Sequence, residues 1–189
     1  LILQKGFTGT NITEILNKAA ITKGGFFYHF TGKGELALAL VERYLEQDRI
    51  VFQELLTRAD SLSEDPLQRA LIFLNLFAEM VSGMHSTHPG CLVAAFTYEL
   101  QQFDEEVCDL MKTGILGWRE LVAQRLELIL AHYPPRIEVS IEALADMFTS
   151  TLEGGIILAR ITDSNQALVA QVHAYRNHLR LIFDPALGN

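Results

Sequence analysis

The chain has 189 residues, 49% of them apolar and only five proline, which suits one large or two small globular domains and excludes a disordered or fibrous protein. No apolar run exceeds six residues, too short for a transmembrane helix, and two cysteines, Cys91 and Cys108, make no disulfide framework, so a cytoplasmic protein with no membrane partner is expected. The net charge of −8 is unevenly placed: residues 1–33 hold four lysines against Glu14 alone, a local +3, while the rest of the chain carries −11, and a small basic end on an acidic body is what one phosphate-facing surface requires.

Residues 1–5 read as the end of a helix closed by Gly6. Thr10 is expected to cap the next helix, since its hydroxyl oxygen can accept an otherwise unpaired backbone N–H. Ile12, Ile15, Leu16 and Ala19 follow at helical spacing, and Glu14 suits the positive end of the helix dipole. Ala20-Ile21 forms a turn, Thr22 caps a second short helix running to Tyr28 or Phe30, and Gly32 breaks it. Two short capped helices joined by three or four residues make a helix-turn-helix. A long helix is expected over 33–57, then a polar loop over 60–66 in which Pro66 suits the first turn of the following helix. Further helices are expected over 67–85, 91–101, 103–133, 138–161 and 164–183, with a break at 86–90 and a stop at Pro134-Pro135. No alternating segment is long enough for a strand. The fold class is therefore all-α: an N-terminal helix-turn-helix module of three helices over 1–45, joined by the long helix to a larger helical body over 46–189.

A helix-turn-helix lays its second helix in the major groove and reads bases from that helix's N-terminal end. Helix starts, hydroxyls and basic side chains hold the phosphates. This places Thr22 and Lys23 against base edges or phosphates, and Gly24 and Gly25 where the backbone comes close to DNA. Because glycines read no bases, base reading is expected to shift towards Thr22, Lys23 and, on the preceding helix, Thr10 and Asn11, while Tyr28, His29 and Lys33 are placed on phosphates and Phe26, Phe27 and Phe30 include the residues that pin the helix.

The run Gly6-Phe7-x-x-Thr10-x-Ile12-x-x-Ile15, then Ala19-Ala20-Ile21-Thr22-Lys23-Gly24, then Phe27-x-His29-Phe30-x-Gly32-Lys33-x-x-Leu36 resembles the DNA-binding signature of the TetR (tetracycline-repressor-like) family. The resemblance implies a transcriptional regulator, most often a repressor, that binds double-stranded DNA at a near-palindromic operator as a homodimer. Its two recognition helices would sit about 34 Å apart to meet successive major grooves. It also implies that the helical body binds a small-molecule effector and dimerises through the last two helices. Candidate dimer contacts are Gly154, Gly155, Ile156, Ile157, Arg160, Val172, Tyr175 and Leu179, the glycine pair being costly in a helix unless another helix approaches closely. The chain departs from the family pattern in two places. Phe27 stands where most members have a phosphate-contacting tyrosine, with the hydroxyl one residue later on Tyr28. Ala20 stands where many have glycine, at a modest cost if that position needs a positive φ.

Within the body, Phe77, Met80, Met84, Phe96, Met111, Trp118, Phe148 and Leu152 make aromatic and methionine-rich faces that suit either an apolar effector cavity or a dry core. Cys91 follows Pro89-Gly90 at a helix start, where the dipole favours a thiolate. It is therefore a candidate effector-site residue and the basis of an alternative, a thiol sensor of electrophiles or oxidants, against the plainer reading of a small residue capping a helix. His85, His88 and Cys91 are spaced by three, but Pro89-Gly90 interrupts any common helical face and no fourth ligand is evident, so no metal is expected. No cofactor motif and no enzyme signature is present: there is no P-loop, G-x-S-x-G or H-E-x-x-H. A helical interaction module that never meets DNA is the remaining alternative.

Overall fold

In a computed structural model of the chain, which describes residues 1–185, helices succeed one another with no strand among the described residues. The order is α1 (Ile2–Lys5), α2 (Ile12–Ala19), α3 (Lys23–His29), α4 (Lys33–Leu62), α5 (Pro66–Ser82), α6 (Leu92–Thr97), a 3-10 turn (Leu100–Gln102), α7 (Glu105–His132), α8 (Ile141–Thr162) and α9 (Gln166–Phe183). Most helix starts carry the expected chemistry. Asp65 accepts from Gln68 N at 2.7 Å with Pro66 in the first turn, and Ser140 accepts from Ala143 N at 3.2 Å. The start of α2 differs from expectation, because the cap is Asn11 rather than Thr10. Asn11 accepts from Glu14 N at 2.9 Å while the Glu14 carboxylate accepts from Asn11 N at 3.2 Å, a reciprocal capping box. A box of this kind satisfies two unpaired donors, which a lone threonine hydroxyl cannot do.

The chain divides into two compact units, and the division falls inside α4 and α7. The first comprises residues 1–49 and 90–115, the second residues 50–89 and 116 onward. This departs from a boundary at 45/46, because α6 and the start of α7 pack with the N-terminal helices. Phe7, Ala37 and Val41 share one buried cluster with Leu92, Val93, Phe96, Val107 and Met111. Phe96 stacks on Phe103 at 4.4 Å between ring centroids and meets Phe7 edge-on at 5.4 Å.

The second unit has its own core around Phe52, Phe73, Phe77, Phe148 and Tyr175. Phe52 is its hub, with ring centroids 4.1 Å from Trp118, 5.5 Å from Phe77 and 5.7 Å from Phe73. The Tyr175 hydroxyl donates to Leu144 O at 3.0 Å, and burial pushes the phenol well above its ordinary range. Helices α8 and α9 approach closely at Gly155, where a Cβ would lie 3.1 Å from the Cα of Leu168. That proximity explains one glycine of the pair, whereas around Gly154 there is open space. The loop before α6 is tied to the α8–α9 turn by Asn165, whose Oδ1 accepts from His88 N at 2.8 Å and whose Nδ2 donates to Ser86 O at 3.0 Å.

Candidate nucleic-acid interface and effector cavity

The α2–α3 pair is a helix-turn-helix, and its local sequence accounts for its shape. Ala20 ends α2 in the left-handed region at φ 55°, ψ 39°, the conformation for which glycine is the ordinary residue. Thr22 caps α3, its Oγ1 accepting from Gly25 N at 3.0 Å. Phe26 anchors α3 with 1% of its surface exposed, and Phe30 lies against it at 5.4 Å. Phe27 is not part of that anchor: it is exposed, with Lys23 Nζ 5.9 Å from its ring. The face that this leaves outward carries Asn11, Thr22, Lys23, Gly24, Gly25, Tyr28 and His29, all exposed, with Tyr28 at 84%. No neighbour lies within 4 Å of a Cβ built on Gly24, so the first turn of α3 is open to a close backbone approach. Lys18, at the end of α2, is exposed beside the turn and adds to the basic charge of this end of the chain, although the motif assigns that position no contact.

Two of the expected DNA contacts are corrected by the geometry. Thr10 is fully buried and its hydroxyl donates to Gly6 O at 2.8 Å, so it fastens the loop before α2 and presents nothing outward. Lys33 points inward: its ammonium donates to the Phe7 carbonyl and lies 4.2 Å above the Phe7 ring. Burial, only partly offset by the Glu99 carboxylate, pushes the Lys33 ammonium below the usual lysine range. Glu99 completes this clamp. Its carboxylate accepts from Phe7 N at 2.6 Å and Thr8 N at 2.8 Å, and the Thr8 hydrogen bonds hold it below the usual carboxylate range. Gly6 sits at φ 78°, a backbone conformation that favours glycine, and a Cβ there would lie 2.8 Å from Glu99 Oε1 and push the carboxylate out of its grip on the loop. Nothing in the sequence pairs residue 99 with residues 7 and 8. The clamp joins positions more than ninety residues apart.

The second unit encloses a free volume of about 40 Å³ within a recess of about 520 Å³, counting the part open to solvent. Its lining includes Phe52, Phe73, Leu126 and Phe148, and two basic residues, Arg69 and Arg125. Of the expected effector residues only Phe148 lines this space. Phe77, Trp118 and Leu152 pack in the surrounding core, Met80 is exposed and Met84 half-buried. Phe96, Met111 and Cys91 belong to the cluster of the first unit, because the residues from 90 to 115 pack there and not around the recess. Cys91 caps α6, its Sγ accepting from Ala94 N at 3.4 Å.

The expected dimer contacts divide in a similar way. Val172, Tyr175 and Leu179 are buried in the core of their own unit, and Gly155 lies against Leu168, so none of these four presents a surface. Ile156 packs partly against the same core. Gly154, Ile157 and Arg160 are exposed, and with Leu158 and Ile161, the latter 77% exposed, they run along one side of α8. Leu158 and Ile161 were missed as candidates because the apolar stripe around them continues into the core without a break. Among the described residues no group of three histidine, cysteine or acidic side chains is placed to hold a metal ion, and no helix is long and apolar enough to cross a membrane.

Residues 1–40 match the family model of bacterial regulatory proteins of the tetR family, and residues 66–175 match that of the tetracyclin repressor-like C-terminal domain. The chain belongs to the TetR family. It is 31% identical to the HTH-type transcriptional repressor NemR of Escherichia coli (strain K12) over 131 residues, a stretch that is 67% of this chain and spans 62% of that relative's length. It is 28% identical to the transcriptional regulator AcuR of Cereibacter sphaeroides over 163 residues, 85% of this chain and 71% of AcuR. The crystal structure of E. coli NemR in its reduced form superposes with a TM-score of 0.76 at 25% identity, covering 98% of this chain and 92% of that one. A regulatory protein TetR from Rhodobacter sphaeroides superposes with a TM-score of 0.74 at 26% identity, covering 94% of this chain and 92% of its own. The TetR fold thus runs through both units.

Proposed function

We propose that this protein is a dimeric, sequence-specific DNA-binding regulator of transcription, a repressor that a small apolar or aromatic effector releases from a near-palindromic operator. The observation that carries the reading is the outward face of α3. A capped helix start with Thr22, Lys23 and an unobstructed Gly24 stands on a rigid anchor at Phe26, with Tyr28 and His29 at the far end of the same helix. Helix starts of this kind read bases in the major groove, while hydroxyl, imidazole and ammonium groups hold phosphates. The repressor NemR among the relatives supports the sign of regulation. A homodimer through the exposed side of α8 would supply the second recognition helix that a palindrome needs. An effector that binds one of two arrangements better than the other shifts the protein towards it, and the recess of the second unit is where such an effector would enter. In this reading the protein works in the cytoplasm, uses no cofactor and catalyses no reaction.

The test separates the roles of the exposed and buried residues. Lys23→Ala and Tyr28→Phe should weaken binding to operator DNA, and Lys23→Ala should reduce the slope of log affinity against log salt by about one. An unchanged slope and affinity in both variants would refute the placement of α3 on DNA. A second reading, a thiol sensor on the same scaffold, is favoured by the position of Cys91 as the cap of α6, where its sulfur accepts a weak N–H···S bond. Alkylation by an electrophile such as N-ethylmaleimide should then release DNA from the wild-type protein and not from Cys91→Ala. A wild-type protein that keeps its DNA after alkylation rules this reading out.

A further inference from the structure

The recess of the second unit is apolar except at one place. Arg69 and Arg125 both line it, and both side chains are partly open to solvent, at 32% and 29%. Between them stands a single carboxylate, Asp60. Arg125 grips it with two parallel bonds, Nη1 to Oδ1 at 2.6 Å and Nη2 to Oδ2 at 2.8 Å. Arg69 does not share that grip. Its Nε donates to Ser63 O at 2.6 Å and lies 3.8 Å from Asp60 Oδ1, and its two terminal amino groups make no hydrogen bond among the described residues. Two guanidinium groups and one carboxylate leave one positive charge in excess at the edge of an apolar space. The uncommitted part of Arg69 is a planar pair of N–H donors, the geometry that matches a carboxylate.

A purely structural purpose accounts for the Arg125–Asp60 pair, which joins α7 to the end of α4. It also accounts for the Nε of Arg69, which holds the loop between α4 and α5. The stem of Arg69 lines the recess, and its terminal nitrogens remain open to solvent at the rim, where an incoming anion could reach them. Extending the effector reading given above, we infer that the recess takes an organic monocarboxylate, with its apolar tail among Phe52, Phe73 and Phe148 and its carboxylate on the terminal nitrogens of Arg69. A phosphate monoester fits less well, because its near-double charge would face only one net positive charge. The enclosed 40 Å³ is far below the few hundred Å³ of an ordinary ligand pocket, so the tail enters by parting those rings.

The experiment is calorimetric titration of the full-length protein with matched acid and amide probes: octanoate against octanamide, and benzoate against benzamide. Each acid should bind one site per chain at least about ten-fold more tightly than its amide, since a charge-assisted bond replaces a neutral one. Arg69→Gln should bring the acid down to the affinity of the amide in a protein that keeps its helical circular dichroism and still melts cooperatively, at a lower temperature for loss of the bond to Ser63 O. Asp60→Asn should act in the opposite direction and tighten acid binding several-fold, by removing the internal competitor, a gain that loss of scaffolding alone would not produce. Acids that bind no better than amides, an acid preference that survives Arg69→Gln, or acids that do not bind at all would each overturn the inference. Its failure is distinguishable from failure of the effector reading. Amides that bind as tightly as acids and release DNA would leave an effector site without a carboxylate preference, and operator binding by the ligand-free protein is measured separately.

Discussion

The neighbouring glycines Gly154 and Gly155 lie on the same helix, share the same intrinsic cost, and differ only in what surrounds them. Alanine at either position gains about 0.8–1.0 kcal/mol of helix propensity. At Gly154 nothing lies within 4 Å of the new methyl group within the protomer, so that gain is realised whole. At Gly155 the methyl would meet Leu168 Cδ1 at 2.7 Å, Leu168 Cα at 3.1 Å and Gln171 Cβ at 3.4 Å. The clash with Cδ1 cannot be relieved by turning the side chain, because Leu168 is completely buried. The crowding against the Leu168 backbone is relieved only by moving α9 away from α8. Overpacking of this sort costs about 1–3 kcal/mol. Subtracting one variant from the other cancels the propensity gain, so Gly155→Ala should be less stable than Gly154→Ala by about 1–3 kcal/mol. At roughly 2–4 °C per kcal/mol for a chain of this length, the two melting temperatures should separate by several degrees. Urea unfolding followed by circular dichroism, at one protomer concentration because a dimer's stability depends on it, is the assay. Equal stability of the two variants would refute the account of Gly155 as the point of close approach. Repeating the comparison on dilution tests the dimer as well: if α8 faces a second copy at Gly154, any penalty at that position should grow with protein concentration.

Four further outcomes are expected. Ala20→Gly should stabilise the protein by about 0.5–1 kcal/mol, read as a higher urea midpoint, because the left-handed backbone at φ 55° penalises alanine by more than glycine loses in chain entropy. Lys33→Ala should lower stability by about 1–3 kcal/mol through loss of the bond to Phe7 O and the cation–π contact, and should leave the salt slope of DNA binding unchanged, since the ammonium points inward. Asp60 is held below the ordinary carboxylate range, chiefly by the Arg125 hydrogen bond and in spite of partial burial. The stability it contributes is therefore present above the unfolded-state value, about 3.9, and is lost as pH falls through the lower folded value. Wild type should lose stability over that acid window more steeply than Asp60→Asn, as measured by urea midpoints from pH 6 downwards. Glu99→Gln should loosen the loop at Phe7 and Thr8, which amide hydrogen exchange at those two residues would report as faster exchange.

Local chemistry made most of the helices readable from sequence. The cap at Thr22, Pro66 in the first turn of α5 and the proline pair after α7 act within one turn of themselves, so the period of apolar residues and these local signals suffice to place the helices. The cap of α2 was misplaced by one residue because Thr10 and Asn11 are both good caps, and only the reciprocal bond of Glu14 decides between them. Residues whose role depends on distant partners were read wrongly or not at all. Lys33 looks like one more basic residue in a basic stretch until the Phe7 carbonyl and ring are seen to occupy it. Phe96 and Met111 have the composition of an effector site, yet they fill the core of the first unit, since composition does not say which rings meet. Nothing in the sequence marks Arg69 and Arg125, because an arginine on an amphipathic helix is ordinarily a solvated one. Their meaning comes from Asp60, which α4 and α7 bring beside them.

The central claim, that the outward face of α3 reads a specific DNA sequence, is tested most directly by fluorescence anisotropy. Full-length protein would be titrated onto labelled duplex from the promoter next to its own gene, and onto a random duplex of equal length, across a salt series. The account predicts binding to the promoter duplex at least about 10³-fold tighter than to the random one near physiological salt, with affinity falling linearly on a log–log salt plot. Equal affinity for the two duplexes at every salt concentration would contradict it.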